Sequence, residues 1–347
     1  MSLYSALRPL LFRLAPDRSH ALAHAALRVS APWRLTGAAG RLALADHRLR
    51  TRFAGVELPS PVGLAAGFDK DCELMAALSC LGFGFITVGT IMPQPRAGNP
   101  FPRLVSYPET ESLADAMGLP GGGRDACVAR LAGFKHRRVP LFANVGGFTA
   151  ADIADSFKAV EPHVDAVEIS LICPNLPPGE SFDELALLAG VLARIGDRRK
   201  GAIIRVPNDT VRSPERLAEL VERCVAGGIE GLKVAGGRSV VEPRLGTGQG
   251  TLHGRATFAT ALENVARTAL IARGRIPIKG NGGVSTGADV IAMLRAGATC
   301  VDLYSAFIYR GWSVARRINT ELAALLRRQH AAARATDAVA DARSAGA

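Results

Sequence analysis

The chain has 347 residues, of which 48% are hydrophobic, and this is enough to bury one large core or two modest ones. It has no apolar run of membrane-spanning length and its first helix carries charges throughout, so we expect neither a spanning segment nor a cleavable signal. The six cysteines lack paired metal spacing, which predicts reduced cytoplasmic thiols and no metal site.

The first 52 residues carry much of the net charge of +11. They hold nine arginines against Asp17 and Asp46, a net charge of +7, and leucines alternate with the arginines. This pattern predicts two short helices around a break at Pro16, apolar on one face and basic on the other. Such a hairpin can lie peripherally on the anionic inner face of the cell membrane. One alternative is a helical cap packed on the main domain. The other is that the many arginines reflect only a high GC content of the coding DNA. An aromatic content of 5% argues against nucleic acid binding.

Beyond residue 53, strand and helix patterns alternate along the chain. After a short hairpin at 53–60, strands are predicted at 62–66, 84–89, 140–145, 165–170, 201–206, 230–235, 276–280 and 299–304. Helices are predicted after the strands, for example at 71–81, 151–161, 181–196, 213–226, 257–273, 286–296 and 313–327. Eight strands, each followed by a helix, predict an α/β fold of the (β/α)8 TIM barrel type with an N-terminal helical hairpin extension. The rival fold, a doubly wound open sheet, lacks an early Gly-x-Gly-x-x-Gly after a strand.

The predicted organisation has three parts. Residues 1–52 form the helical extension, 53–328 the barrel, and 329–347 a disordered tail. Within the barrel, the Pro- and Gly-rich segment 91–123 is predicted to be a long loop over the active site. We interpret His20, His24 and His253 as packing or loop residues.

Chemistry in such a barrel gathers at the carboxyl ends of the strands. Small residues at 65–67 allow a flat ring to approach, and Lys70 follows them. The glycines at 282–283 and Ser305, which opens the last helix, present backbone N–H groups to a phosphate; simple tight turns are the alternative. A phosphate there leaves room for a flavin, and Arg205 could stabilise negative charge on the reduced ring.

The strand predicted at 165–170 delivers Cys173, Pro174 and Asn175 into the loop that follows. A thiol can take or give a proton, proline stiffens the turn, and asparagine both donates and accepts hydrogen bonds. These features predict a reaction loop, with a half-buried cysteine at a strand end as the alternative. Glu168 shares a strand face with Ser170, and we interpret it as a paired core carboxylate.

The chain resembles the dihydroorotate dehydrogenases, specifically their membrane-associated, quinone-using class (class 2). The most specific segments are 63–71, 82–90, 93–99, 173–175 and 303–305. The resemblance implies an FMN-containing barrel, a small-molecule substrate and a quinone as electron acceptor. It places FMN near small and polar residues at the strand ends: Ala65, Ala66, Gly67, Thr90, Asn144, Arg205, Gly254, Gly282, Gly283, Tyr304 and Ser305.

The resemblance also implies that Cys173 is the base that removes a proton from the substrate. Quinone-using members carry serine at this position, whereas the cytosolic class carries cysteine. The chain therefore combines the N-terminus of one class with the base of the other. A free thiol titrates near pH 8.5, and Lys70 is the candidate for lowering that pKa.

Several positions that surround the small acidic substrate in this family differ here. Ser170 and Asp115 stand where asparagines are expected, and residues 235–237 (Ala-Gly-Gly) replace a Thr-Asn-Thr run. Ser106 stands where the quinone-side arginine is expected. We therefore predict an FMN-dependent oxidoreductase with a changed substrate, which is neutral, amine-bearing or bulkier. The residues expected to contact that substrate are Lys70, Asp115, Ser170, Asn175 and Gly236.

Three alternatives remain beside this prediction. The first is a genuine dihydroorotate dehydrogenase (quinone) of pyrimidine biosynthesis. The second is an FMN-dependent reductase of a ring double bond, with Cys173 as proton donor. The third is a non-enzymatic flavin-binding paralogue, against which the presence of Lys70 and Cys173 argues.

Overall fold

The computed structural model describes residues 12–171 and 183–345, together with Tyr4, Ala6, Arg8 and Pro9. Its strands alternate with helices along most of the chain. In chain order the strands are β1 (Thr51–Phe53), β2 (Val56–Leu58), β3 (Val62–Leu64), β4 (Phe85–Ile91), β5 (Leu104–Tyr107), β6 (Ser112–Asp115), β7 (Leu141–Gly146), β8 (Ala166–Ser170), β9 (Gly201–Arg205), β10 (Gly231–Ala235), β11 (Arg238–Val241), β12 (Gln249–Gly254), β13 (Ile278–Asn281) and β14 (Cys300–Leu303).

Eight of these strands close into a parallel barrel in the order β10-β13-β14-β3-β4-β7-β8-β9. Each overlaps a strand predicted from the sequence, so the predicted TIM-barrel fold is confirmed. The strands are nearly continuous apolar runs because helices cover the outside of the barrel and side chains fill its inside. Parallel pairing sets Asn144 beside Glu168 and Lys233 beside Lys279, which brings polar side chains of neighbouring strands to the same height.

The helices cover the barrel with amphipathic faces. In chain order they are α1 (Pro16–Arg28), α2 (Ser30–Ala43), α3 (Met75–Leu78), α4 (Arg124–Gly133), α5 (Ala150–Val160), α6 (Glu184–Leu192), α7 (Asn208–Arg212), α8 (Pro214–Ala226), α9 (Phe258–Ala272), α10 (Gly287–Arg295), α11 (Ser305–Arg310) and α12 (Val314–Ala345). Helix α8 shows why they form: Leu217, Leu220, Val221 and Cys224 recur at helical spacing and are buried, and the Ser213 hydroxyl caps the first turn.

Two helical predictions differ from the structure. The helix predicted at 71–81 is reduced to α3, because the Asp69 carboxylate accepts hydrogen bonds from the backbone N–H groups of Glu73 and Leu74 and holds this segment in a turn. Helix α12 runs on to Ala345, past residue 329, where a disordered tail is predicted. The domain limits themselves stay predictions.

A four-stranded antiparallel sheet, ordered β11-β12-β6-β5, is the main feature that the sequence analysis does not predict. Strands β5 and β6 lie inside the segment 91–123, which is therefore not simply a long loop. Strands β11 and β12 follow barrel strand β10 and pair with them. The pairing joins Asp115 to Thr251 and Leu113 to His253, so side chains distant in sequence meet at the carboxyl end of the barrel.

The described part of the N-terminal extension includes helix α1, which begins at the predicted break at Pro16, and helix α2. Helix α1 and the segment that follows α2 are both tied to the rest of the chain. The Asp17 carboxylate accepts a hydrogen bond from the Arg103 backbone N–H at 3.1 Å, next to β5. The Asp46 carboxylate lies 3.0 Å from the guanidinium of Arg327 in α12. Among the described residues, no helix combines the length and the apolar character needed to cross a membrane.

Aromatic side chains fill the amino end of the barrel. Phe53 of the β1–β2 hairpin packs with Phe85 and Phe142, whose rings stack with centroids 5.2 Å apart. Gly63 makes this packing possible, because a Cβ atom there would lie 2.2 Å from the Phe85 ring. The amino end is thus occupied by apolar side chains, which leaves the carboxyl end for a ligand.

Candidate active site

A cavity of about 150 Å³, partly open to solvent, lies at the carboxyl ends of the barrel strands. All the residues predicted to hold the cofactor line it: Ala65, Ala66, Gly67, Thr90, Asn144, Arg205, Gly254, Gly282, Gly283, Tyr304 and Ser305. Of the predicted substrate residues, Lys70, Asp115 and Ser170 also line the cavity. Most of the predicted site residues are therefore brought together in one place.

Three predicted residues are not placed in this cavity. Cys173 and Asn175 lie outside the described residues. Gly236 is not among the residues that line the cavity. A Cβ atom there would lie 2.6 Å from Ala261 and from the carbonyl oxygen of Thr257, so a side chain at this position would point into α9. The contact of Gly236 with the substrate stays a prediction.

One end of the cavity is formed by backbone rather than by side chains. Gly283 has a φ of +67°, and a Cβ atom there would lie 2.7 Å from the Gly254 carbonyl oxygen. Gly254 has a φ of +104°, and its Cβ would lie 2.6 Å from the Glu111 carbonyl oxygen. Only glycine fits such positions, and the resulting wall, together with Ser305, can receive a phosphate through backbone N–H groups. The residues present therefore fit the phosphate tail of FMN.

Lys70 forms another part of the cavity wall, in the segment that follows β3. Its ammonium donates a hydrogen bond to the Gly67 carbonyl oxygen at 2.5 Å, which fixes the side chain toward the cavity. Burial lowers the pKa of Lys70, and the carboxylates of Asp115 and Asp71 oppose this effect only in part. A lysine with a lowered pKa in a cleft is typical of functional sites.

The antiparallel sheet contributes a hydrogen-bonded pair of side chains to the cavity. The carboxylate of Asp115, at the end of β6, lies 3.0 Å from Nε2 of His253 in β12, and both residues line the cavity. Burial raises the pKa of the Asp115 carboxyl, but the hydrogen bond from His253 and the charge of Lys70 outweigh it and hold that pKa below its ordinary value. Asp115 therefore stays ionised. Local sequence patterns do not reveal this pairing, because neither strand is predicted from them.

The floor of the cavity is polar. The Asn144 amide donates to Oε1 of Glu168 at 2.7 Å and to the Ser170 hydroxyl at 3.1 Å. Glu168 also lies 3.0 Å from the Lys233 ammonium and 2.6 Å from that of Lys279, in agreement with its interpretation as a paired carboxylate. Burial raises the pKa of Glu168, but the two lysines outweigh it and hold that pKa at about 2.

The lysine partners of Glu168 are also absent from the sequence analysis. Lys233 and Lys279 are single charges within apolar strand runs, as is Asp302 in β14. That isolation is the signal that could have found them, because a lone charge in a buried strand needs a partner.

Helix α1 packs beside the Lys70 wall. The His24 ring lies 5.2 Å from the Phe68 ring and 4.3 Å from the His20 ring, centroid to centroid. Burial and the charges of His24 and Lys70 lower the pKa of His20 to about 3. Burial and the charges of Lys70 and Arg28 lower the pKa of His24 to about 4. Both imidazoles are therefore neutral at pH 7, which agrees with their interpretation as packing residues.

This histidine pair predicts a pH-dependent stability. An unfolded histidine titrates near pH 6.5, so the unfolded chain binds more protons than the folded chain as the pH falls from 6.5 toward 4. We expect the urea midpoint of unfolding to drop between pH 7 and pH 5, and His20→Gln/His24→Gln to reduce that drop. His136→Gln, at an exposed position, is the control and leaves the drop unchanged. An equal drop in the double variant and the wild type would contradict this expectation.

The fold and the cavity define a class of protein. It is a (β/α)8 barrel with a glycine-lined site that can receive a phosphate and with ionisable side chains in the cavity, as in flavin-dependent barrel enzymes. The sequence profile of the family described as "Dihydroorotate dehydrogenase" matches residues 48–326. The chain belongs to the dihydroorotate dehydrogenase family and resembles its quinone-dependent type. Members of this family are FMN flavoproteins, and the chain is an FMN-dependent oxidoreductase acting on CH–CH groups.

Individual relatives support this assignment. The "Dihydroorotate dehydrogenase (quinone)" of Roseiflexus castenholzii is 34% identical over 342 residues, covering 94% of this chain and 93% of that protein. The protein of the same name from Methylococcus capsulatus is 35% identical, covering 92% and 98%. Among solved structures, the dihydroorotate dehydrogenase of Eimeria tenella in complex with ferulenol superposes with a TM-score of 0.73 at 27% identity, covering 82% of this chain and 86% of that one.

Proposed function

We propose that this enzyme transfers a hydride between FMN and a small substrate other than dihydroorotate, with Cys173 as the acid or base. The observation that carries the proposal is the ionised carboxylate of Asp115, which lies in the cavity beside Lys70 and is hydrogen-bonded to His253. The resemblance places an asparagine at residue 115, facing an acidic substrate. An ionised carboxylate there repels an acidic substrate and favours one that offers a cationic or N–H group.

The lost hydrogen bonds point in the same direction. A hydrogen bond to a charged ligand contributes roughly 1.5–3 kcal/mol. Ser170 replaces an expected asparagine, and its hydroxyl is already engaged with Asn144, at 3.2 Å from Oδ1. Gly236, at the expected position of another asparagine, offers no side chain at all. Loss of such contacts would weaken the binding of dihydroorotate by several orders of magnitude, before repulsion from Asp115 is counted.

FMN would be held by the two walls described above. The ring would lie near 65–67, Thr90, Asn144 and Arg205, and the phosphate near 282–283, together with Gly254, Tyr304 and Ser305. When bound, FMN supplies the acceptor or donor of the hydride. Glu168 fixes the amide of Asn144, and Arg205 offers a positive charge at the cavity mouth. Lys70 orients the substrate, and Cys173 would hold or release the substrate proton.

We further propose a quinone as electron acceptor and a peripheral contact with the inner face of the cell membrane through residues 1–52. The relatives named above are quinone-dependent by name. Helices α1 and α2 leave large apolar side chains exposed, among them Leu22, Leu35 and Leu42, next to their arginines. Apolar and basic side chains on one helical hairpin suit an anionic bilayer surface.

The substrate is tested with purified protein carrying FMN. We expect dihydroorotate to bleach the flavin absorbance under anaerobic conditions only very slowly. Asp115→Asn should increase the rate by one to two orders of magnitude, because it removes the like charge and restores a hydrogen-bond donor. Glu109→Gln, an exposed carboxylate next to the antiparallel sheet, is the matched control.

The same measurement decides between this proposal and its main alternative. A genuine dihydroorotate dehydrogenase is favoured by the names of the relatives, which cover more than nine-tenths of the chain. Rapid anaerobic bleaching of the wild-type flavin by dihydroorotate would establish that alternative and refute the changed substrate.

A further inference from the structure

Four charged side chains are buried together inside the barrel. Glu168 of β8 lies 3.0 Å from the Lys233 ammonium and 2.6 Å from that of Lys279. The Asp302 carboxylate lies 3.2 Å from the Lys233 ammonium and 3.3 Å from that of Lys279. Each of the four residues is at most 5% exposed. We call these two acids and two bases the charge cluster; its formal charge is zero.

The charge cluster forms the floor of the candidate active site. Glu168, Lys233 and Asp302 line the cavity, and they come from alternate strands, which is how one layer of side chains arises in such a barrel. Lys279 lies on the strand between two of these, with its ammonium 5.4 Å from the centroid of the Phe85 ring and 5.6 Å from that of Phe142. Apolar rings therefore lie below the cluster and the cavity lies above it.

Stability alone does not explain a layer of buried charged side chains. The interiors of these barrels are filled mainly by Val, Ile and Leu, and replacing buried ion pairs by apolar side chains is often neutral or stabilising. Within the described residues, Oδ1 of Asp302 has no hydrogen-bond partner although the side chain is buried at the cavity floor. The arrangement places charges of both signs, poorly screened by water, against the space where a ligand lies.

We infer that the charge cluster sets the reduction potential of the FMN bound above it, with the lysines favouring the reduced flavin and the carboxylates the oxidised flavin. This inference rests on the proposed placement of FMN in the cavity. Uptake of two electrons and one proton leaves the flavin with one additional negative charge. A nearby lysine stabilises that charge and a nearby carboxylate destabilises it, and the effect is large because the floor excludes water.

The test is a pair of near-isosteric variants that change the floor charge in opposite directions. The reduction potential of bound FMN is measured by anaerobic titration against a reference dye. Lys233→Met should lower the affinity for reduced relative to oxidised FMN by about tenfold, a shift of about −30 mV for a two-electron couple. Asp302→Asn should raise the affinity for reduced relative to oxidised FMN by a similar factor. The double variant Lys233→Met/Asp302→Asn should return the reduction potential to the wild-type value.

The two single variants should shift the reduction potential in opposite directions. This separates an electrostatic role from a structural one, because general damage to the site would shift the potential of both variants in the same direction. Lys158→Met, which removes an exposed surface charge, is the control and should leave the potential unchanged. If either single variant fails to fold, the pair Lys279→Met and Glu168→Gln applies the same test. Shifts of the same sign, or no shift with FMN bound, would overturn the inference alone. Wild-type protein that binds no FMN would overturn the proposed placement of FMN as well.

Discussion

Replacing Cys173 by alanine is expected to leave FMN bound while turnover falls by about 10²–10⁴-fold, the usual contribution of a positioned acid or base. The residues that line the proposed flavin site come from the strand ends and from β12, so the loss of the Cys173 thiol leaves them intact. The measurement is steady-state turnover beside the FMN content of the purified protein, read from its visible absorbance.

Two further variants sharpen this expectation. Cys173→Ser keeps a proton-carrying group of similar size and should retain part of the turnover with a changed pH profile, because a hydroxyl ionises far less readily than a thiol. Cys224→Ala, at a buried position in α8 remote from the cavity, is the control and should keep full turnover. Full activity in Cys173→Ala would exclude this residue as acid or base and leave the half-buried structural cysteine as its interpretation.

Glu168→Leu is expected to destabilise the protein by about 3–5 kcal/mol, because it leaves the ammonium groups of Lys233 and Lys279 buried with one carboxylate between them. It also removes the acceptor of the Asn144 amide. The measurement is the free energy of unfolding in urea.

The matched variant is Glu168→Leu/Lys279→Met. It removes one acid and one base, and it leaves Lys233 paired with Asp302 at 3.2 Å. We expect it to recover most of the lost stability, because the remaining charges balance. If the single and the double variants were equally destabilised, the cost would come from altered packing and not from unpaired charge.

Much of the site could be predicted because its residues lie next to barrel strands. A buried parallel strand is a continuous apolar run, and small or polar residues such as Gly283 and Ser305 mark its end. Once the strands close into a barrel, their carboxyl ends meet, so local sequence signals converge in space without further information. This is why most of the predicted cofactor residues line one cavity, whereas Gly254, at the end of the unpredicted strand β12, is expected there only from the resemblance to the family.

The remaining features depend on contacts that local patterns do not encode. Strands β5, β6, β11 and β12 are short and antiparallel, and their pairing joins segments more than a hundred residues apart, such as Asp115 with His253. The charge cluster has the same origin, because Lys233, Lys279 and Asp302 are isolated charges whose partners lie on other strands. The shortening of the helix at 71–81 follows from a single side chain, Asp69, which competes for backbone N–H groups.

The contacts of the N-terminal helices have a practical consequence for anyone who trims this protein. A shortened version that starts at residue 53 would lose three contacts. These are the hydrogen bond between Asp17 and the Arg103 backbone, the ion pair between Asp46 and Arg327, and the packing of the His24 ring on the Phe68 ring. Such a deletion would uncover the wall that carries Lys70, so diminished activity in it would report a damaged pocket as well as the loss of the proposed membrane contact.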